Sequence, residues 1–213
     1  MKKKVLGYYD YTVVLTYCGM LAAFAGILRV LAFDYWGALI CLMIAGVCDM
    51  FDGAVAQTKT RNEKEKRFGV QIDSLSDLIS FGILPAIFVY RIANENLWVG
   101  VVCAAFVLCA LIRLAYFNVL EEERQKQTTE KRKSYLGVPV TVVAVALPLV
   151  YLLHKEHICR TLIWFPLLLI LMGAGYLMPL EIKKPGIIGK IIMIVLGILE
   201  GIGLFFFMGG DIV

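Results

Sequence analysis

Seven apolar stretches, at about residues 12–33, 35–57, 70–93, 97–119, 137–153, 161–179 and 187–208, follow one another with only short polar connections between them. A helix needs roughly 20 apolar residues to cross the hydrocarbon of a bilayer, and each stretch approaches or reaches that length. Of the 213 residues, 60% are hydrophobic, against about 45–50% in ordinary soluble domains. The expectation is therefore an all-α fold: a polytopic membrane helix bundle of about seven transmembrane helices, within a range of six to eight. The spacing leaves no room for a soluble domain, so residues 1–213 read as one membrane domain.

Charge sets the expected topology. With the N-terminus inside, MKKKV, TKTRNEKEKRF, EEERQKQTTEKRKS and EIKKPGIIGK are cytoplasmic and hold sixteen of the twenty-one Lys and Arg residues. Arg91, Lys155 and Arg160 fall on the other side, and Arg29 and Arg113 lie within spans. The positive-inside rule then puts the N-terminus in the cytoplasm and the C-terminus outside. The net charge of +4 suits anionic lipid headgroups and is no argument for nucleic acid. MKKK followed by a long apolar run without a small-x-small cleavage site reads as an uncleaved first helix. The six cysteines show no CxxC spacing and read as packing residues.

Against this background the segment CDMFDGAVAQTKTRNEKEKRFGVQIDSLSDLISFG stands out, because it puts Asp49, Asp52, Asp73 and Asp77 in or beside two spans. A carboxylate at the centre of a spanning helix costs about 2.5–3.5 kcal/mol on the insertion scale, so something must offset four of them. Asp49 and Asp52 are three residues apart and Asp73 and Asp77 four apart, which places each pair on one helix face. Gly53 and Ala56 continue the first face, and small residues there allow close approach of a backbone or a ligand. Two antiparallel helices joined by a loop over 58–69 would bring all four acids together. An all-oxygen set without His or Cys favours a hard divalent cation, Mg²⁺ or Mn²⁺. A pair of such ions about 3.5–4 Å apart would neutralise the acids and clamp a diphosphate for in-line displacement.

DxxDGxxA followed by GxxxDxxxD, here Asp49, Asp52, Gly53, Ala56, Gly69, Asp73 and Asp77, resembles the signature of the CDP-alcohol phosphatidyltransferase family. The resemblance implies that the four aspartates hold two divalent cations. It implies too that Asp77 is the base that deprotonates the incoming alcohol, and that Gly53 and Ala56 make room for the cytidine nucleotide, with Gly69 in the second half of the motif. Where the family has Arg after the Ala, this chain has Gln57, which cannot supply a bidentate guanidinium fork. Lys59, Arg61, Lys64, Lys66 and Arg67 are candidates for that charge. Thr12 and Thr16, four apart in the first span, are both candidates to face the nucleotide, as a Thr near the start of the first helix does in the family.

Within the family, EKRFGVQIDSLSDLISFGILPA, RLAYFNV and SYLGVPVT resemble segments of the CDP-diacylglycerol–serine O-phosphatidyltransferases. That resemblance implies CDP-diacylglycerol and L-serine as substrates, and a homodimer in the plasma membrane of a prokaryote with its site facing the cytoplasm. Arg113, with Asn118 as a polar helper, is the candidate for the serine carboxylate or a lipid phosphate. A related enzyme using glycerol 3-phosphate or an inositol phosphate is the nearest alternative, and such acceptors call for more clustered basic residues beside the acids. An ion-coupled transporter also carries intramembrane acids, and an inactive scaffold is made conceivable by Gln57. Glu200, deep in the last stretch, has no assigned task, and His154 and His157 read as loop residues.

Overall fold

The computed structural model describes residues 7–127, 134–158, 160–183 and 187–210. The lysines at 2–4, Cys159, the basic cluster at 131–133 and the 184–186 segment lie outside the described residues.

The chain runs through a 3₁₀ turn at Tyr11–Val13 into α1 (Val14–Leu31), then α2 (Tyr35–Ala56) and α3 (Glu63–Asp77). A π-helical turn at Leu78–Ile83 joins α3 to α4 (Leu84–Ile92), and α5 (Leu97–Gln127) follows. After strand β1 (Ser134–Leu136) come a 3₁₀ turn at Val140–Val142, α6 (Val143–Lys155), α7 (Thr161–Leu177), β2 (Glu181–Lys183) and α8 (Ile187–Gly210). Tyr11–Leu31, Tyr35–Ala56, Glu63–Ile92 and Leu97–Lys126 are long and apolar enough to cross a membrane. Val140–Lys155, Thr161–Leu177 and Ile194–Phe206 are shorter apolar helices. All seven expected windows are thus helical, and the protein is an all-α integral membrane bundle.

Two helices outrun their apolar windows. The expected loop over 58–69 is a loop only as far as Asn62, because Asn62 and Glu65 form a reciprocal capping box that starts α3 at Glu63. Each partner satisfies a backbone N–H that the first turn leaves orphaned. Likewise α5 continues through EEERQKQ to Gln127 instead of stopping near 119, so the first half of the expected solvated connection is helix. Good helix formers need no hydrocarbon to stay helical, and Arg124 pairs with Glu121 at 2.6 Å. Arg67 of α3 also meets Glu122 at 2.9 Å, tying the two polar extensions together.

The remaining unexpected element is a two-stranded seam of backbone, three residues to each strand. β1 pairs antiparallel with β2, Ser134 opposite Lys183, and so links the α5–α6 and α7–α8 connections. Gly137 follows at φ +73, its N–H donating to Leu180 O at 2.8 Å. A Cβ there would lie 2.9 Å from the Tyr176 carbonyl oxygen, so both the backbone angle and the space require glycine.

Packing divides the bundle along its length. Around the start of α2, Trp36, Phe88, Tyr151 and Phe165 form an aromatic cluster, with Trp36 and Tyr151 edge-to-face at 4.9 Å. Toward the other end, α1 and α2 approach closely over small residues: a Cβ on Gly19 would lie 3.1 Å from Cys48 Cβ, and one on Gly26 3.0 Å from Cys41 Cβ. Small residues let membrane helices pack by van der Waals contact, since lipid supplies no hydrophobic drive between them. This tight α1–α2 pair is the wall against which the acids are held.

Candidate active site

The end of α2 and the second half of α3 face one another across α1. One carboxylate oxygen from each of Asp49, Asp52 and Asp73 lies within 4.8 Å of the others. Asp77 faces Asp49, and Asp73 faces Asp52. All four acids line one small cavity with Thr16, Cys48, Ser76 and Ser80. The π-helical turn begins directly after Asp77, and both Ser80 and Phe81 of that turn reach the same cavity. A π turn inside an α-helix is rare and tends to occur where side chains must be re-aimed at a site.

Hydroxyls from two other elements hold the acids in place. Thr16 Oγ1 donates to Asp52 Oδ2 at 3.1 Å, and Ser76 Oγ donates to the Thr16 carbonyl at 3.3 Å. Asp52, Thr16 and Ser76 are all buried, so these bonds join α1, α2 and α3 where water does not compete. Arg113 of α5 is buried as well, and its charge acts on Asp49. Three carboxylate oxygens at this separation match the ligand spacing of a hard cation, whose oxygen ligands sit at about 2.0–2.6 Å. The cluster can therefore hold a divalent metal ion.

The other expected residues differ in how they stand to the cluster. Gly53 and Ala56 extend the acid-bearing face of α2, and a Cβ on Gly53 would meet nothing within 4 Å, so the face beyond Asp52 is open. Gln57 caps α2, its Nε2 donating to Gly53 O at 3.0 Å. Gly69 lies one turn before Asp73 on α3. Asn118 accepts from Ser74 Oγ at 2.7 Å and donates to Gln71 Oε1 at 3.4 Å, which makes it a cross-link between α5 and α3. Thr12 does not join the site as expected: its hydroxyl donates to Asp10, one turn short of the acids. His154 packs edge-on to Phe165 and His157 sits in a turn at φ +60, far along the chain from the carboxylates.

Sequence reasoning missed a clasp at the mouth of the site. Asp10 Oδ2 lies 2.9 Å from Lys59 Nζ, Tyr11 Oη lies 3.0 Å from Thr58 Oγ1, and the Tyr8 and Phe68 rings meet at 5.6 Å. Thr58 and Lys59 lie in the loop after α2 and Phe68 on α3, so these contacts fasten the segment before α1 to both. Hydrogen bonds from the Thr12 hydroxyl and then from Lys59 hold the Asp10 carboxyl down at about 2, and the same pair raises the Lys59 ammonium. DYT does signal a local Asp–Thr turn, but nothing in the sequence announces a partner 49 residues away.

The profile of the CDP-alcohol phosphatidyltransferases matches residues 12–178, a span that contains Asp49, Asp52, Asp73 and Asp77. The chain belongs to that family. A CDP-diacylglycerol–serine O-phosphatidyltransferase of Saccharomyces cerevisiae is 36% identical over 116 residues, covering 53% of this chain and 41% of the yeast protein. The archaetidylserine synthase of Methanothermobacter thermautotrophicus is 38% identical over 116 residues, 54% of this chain and 46% of its own. A CDP-diacylglycerol–serine O-phosphatidyltransferase of Bacillus subtilis is 27% identical over 172 residues, 79% of this chain and 83% of the relative. The matches thus take in about half the length of the first two relatives and most of the third.

Proposed function

We propose that this chain transfers the phosphatidyl group of CDP-diacylglycerol to the hydroxyl of L-serine, giving phosphatidylserine and CMP. The observation that carries the reading is the convergence of the family's four aspartates, from α2 and α3, on one cavity at one end of a membrane bundle. The serine-acting names of relatives at 27–38% identity support the acceptor. The reading makes residues 1–213 one catalytic membrane domain, working as a homodimer in a prokaryotic plasma membrane with its site toward the cytoplasm.

Asp49, Asp52, Asp73 and Asp77 would hold two divalent cations, Mg²⁺ or Mn²⁺. When bound, such ions supply charge that stabilises the diphosphate and the leaving CMP. Asp77 takes the proton of the serine hydroxyl as its oxygen bonds to the β-phosphorus, and the bond from that phosphorus to the bridging oxygen of CMP breaks. Gly53 and Ala56 leave the α2 face bare for the nucleotide, with Gln57 and Gly69 at its edges, and Thr16 fixes Asp52. Arg113 offers a guanidinium for the serine carboxylate or a lipid phosphate, and Asn118 holds α5 beside α3 so that Arg113 stays near Asp49. The diacyl tails remain in the bilayer, beside the exposed Phe51 and Leu75 of the two acid-bearing helices.

The test is an acceptor assay on purified protein with CDP-diacylglycerol and labelled L-serine, glycerol 3-phosphate or an inositol phosphate, with and without chelator. Serine-dependent CMP release that chelator abolishes and added Mg²⁺ or Mn²⁺ restores is expected. Release with another acceptor and none with serine overturns the substrate assignment. The same assay needs no ion gradient, so metal-dependent turnover in detergent also excludes coupled transport as the chain's work.

A further inference from the structure

Five basic side chains follow the first half of the motif, and the structure sorts them. Lys59 is paired with Asp10 and Arg67 with Glu122. Lys64 and Lys66 are exposed on the first turn of α3. Arg61 differs from all four. It is half-buried and, among the described residues, has neither a hydrogen-bond nor an ion-pair partner. Its Nη1 occupies the space beside Gly69, 2.9 Å from where a Cβ on that glycine would lie.

That position is informative because Gly69 precedes Asp73 by one turn of α3, about 6 Å along the helix. The Arg61 guanidinium therefore lies beside α3 one turn before Asp73, in room that Gly69 leaves free because it has no side chain. Gln57, at the end of the facing helix, has its amide turned back on Gly53 O and presents no charge. A planar, permanently charged fork near divalent-ion ligands, with its donors unspent, suits a phosphate oxygen shared with the cations.

We propose that Arg61 binds the diphosphate of the nucleotide-linked lipid, reaching it from the space that Gly69 leaves open one turn before Asp73. The proposal rests on the reading of the cluster as a CDP-lipid site and adds the residue that grips the nucleotide side of the substrate. Arg61 carries affinity for the donor, whereas serine binds without it.

The experiment measures CDP binding to the purified full chain by calorimetry in Mg²⁺ or Mn²⁺, alongside KM for CDP-diacylglycerol and for serine. Arg61→Ala should weaken CDP and raise KM for the lipid about tenfold or more, leaving KM for serine within about twofold. Arg61→Lys should recover only part of the loss, because an ammonium makes no bidentate fork. Unchanged CDP affinity in Arg61→Ala, or an equal loss that follows Lys66→Ala instead, would overturn the proposal while leaving the enzyme assignment intact. Failure of the unmodified protein to bind CDP or release CMP overturns both.

Discussion

Asp52 and Glu200 are buried to nearly the same degree, 8% and 7% exposed, each in an apolar helix of one membrane bundle. Their surroundings differ. Asp52 accepts a hydrogen bond from Thr16, faces Asp73 and shares a cavity with three further carboxyl groups and two serines. Glu200 lies on α8, with one carboxyl oxygen that has no hydrogen-bond partner among the described residues. Burial of an acid in a membrane helix is thus common to both, and it does not by itself make a site. What distinguishes the first region is convergence: side chains from α1, α2 and α3 meet at one point, each oriented by another.

The largest effect should come from the acids themselves. Asp77→Asn keeps the shape and removes the base and a charge from the cluster, so turnover should fall by about a thousandfold, as read by CMP release. Glu200→Leu should leave turnover within about twofold and hold or raise the melting temperature, since it removes an unsatisfied polar group from an apolar setting. A Glu200 variant as inactive as Asp77→Asn would erase the distinction between the two regions.

A smaller change makes Asp52 resemble Glu200. Thr16→Val deletes its hydroxyl partner without changing side-chain size much, and hydrogen bonds to charged groups are worth about 1.5–3 kcal/mol. Turnover should drop about tenfold, with a lower melting temperature, and raised divalent-ion concentration should recover part of the turnover. No change on either readout would mean that the hydroxyl does not orient Asp52.

Asp10 supplies the third case, an acid outside the spans that is fully paired. Its folded value of about 2 lies below the usual carboxylate value of about 3.9. A depressed folded pKa contributes stability that is present above about 4 and is lost as pH falls toward about 2. The melting-temperature gap between the native chain and Asp10→Asn should therefore be constant from neutral pH to about 4 and close below it. A gap that closes near neutrality would assign the clasp to a different group.

Much of this arrangement is legible before any coordinates. The apolar windows give the apolar helices, four of them long enough to span and the others shorter, because such a stretch must be continuous in sequence. The i,i+3 and i,i+4 acids give each helix face, because a helix converts spacing into direction without help from its neighbours. The helix ends were harder to read: α3 starts at the Asn62–Glu65 capping box and α5 runs on to Gln127, and both extensions are polar where the expectation followed hydrophobicity. NEKE contains the capping signal, so that part of the miss was avoidable.

What the chain order alone determined is membrane insertion, the helical character of the apolar windows and the chemistry of the two acidic faces, since each of these depends on residues within about 20 positions of one another. Only the tertiary structure decided that Thr16 and not Thr12 reaches Asp52, that Asn118 is spent on Ser74, that Lys59 belongs to Asp10, and that Arg61 rests on Gly69. Side chains with similar chemistry compete for the same partners, and the winner is set by how helices cross and by where a missing Cβ leaves room.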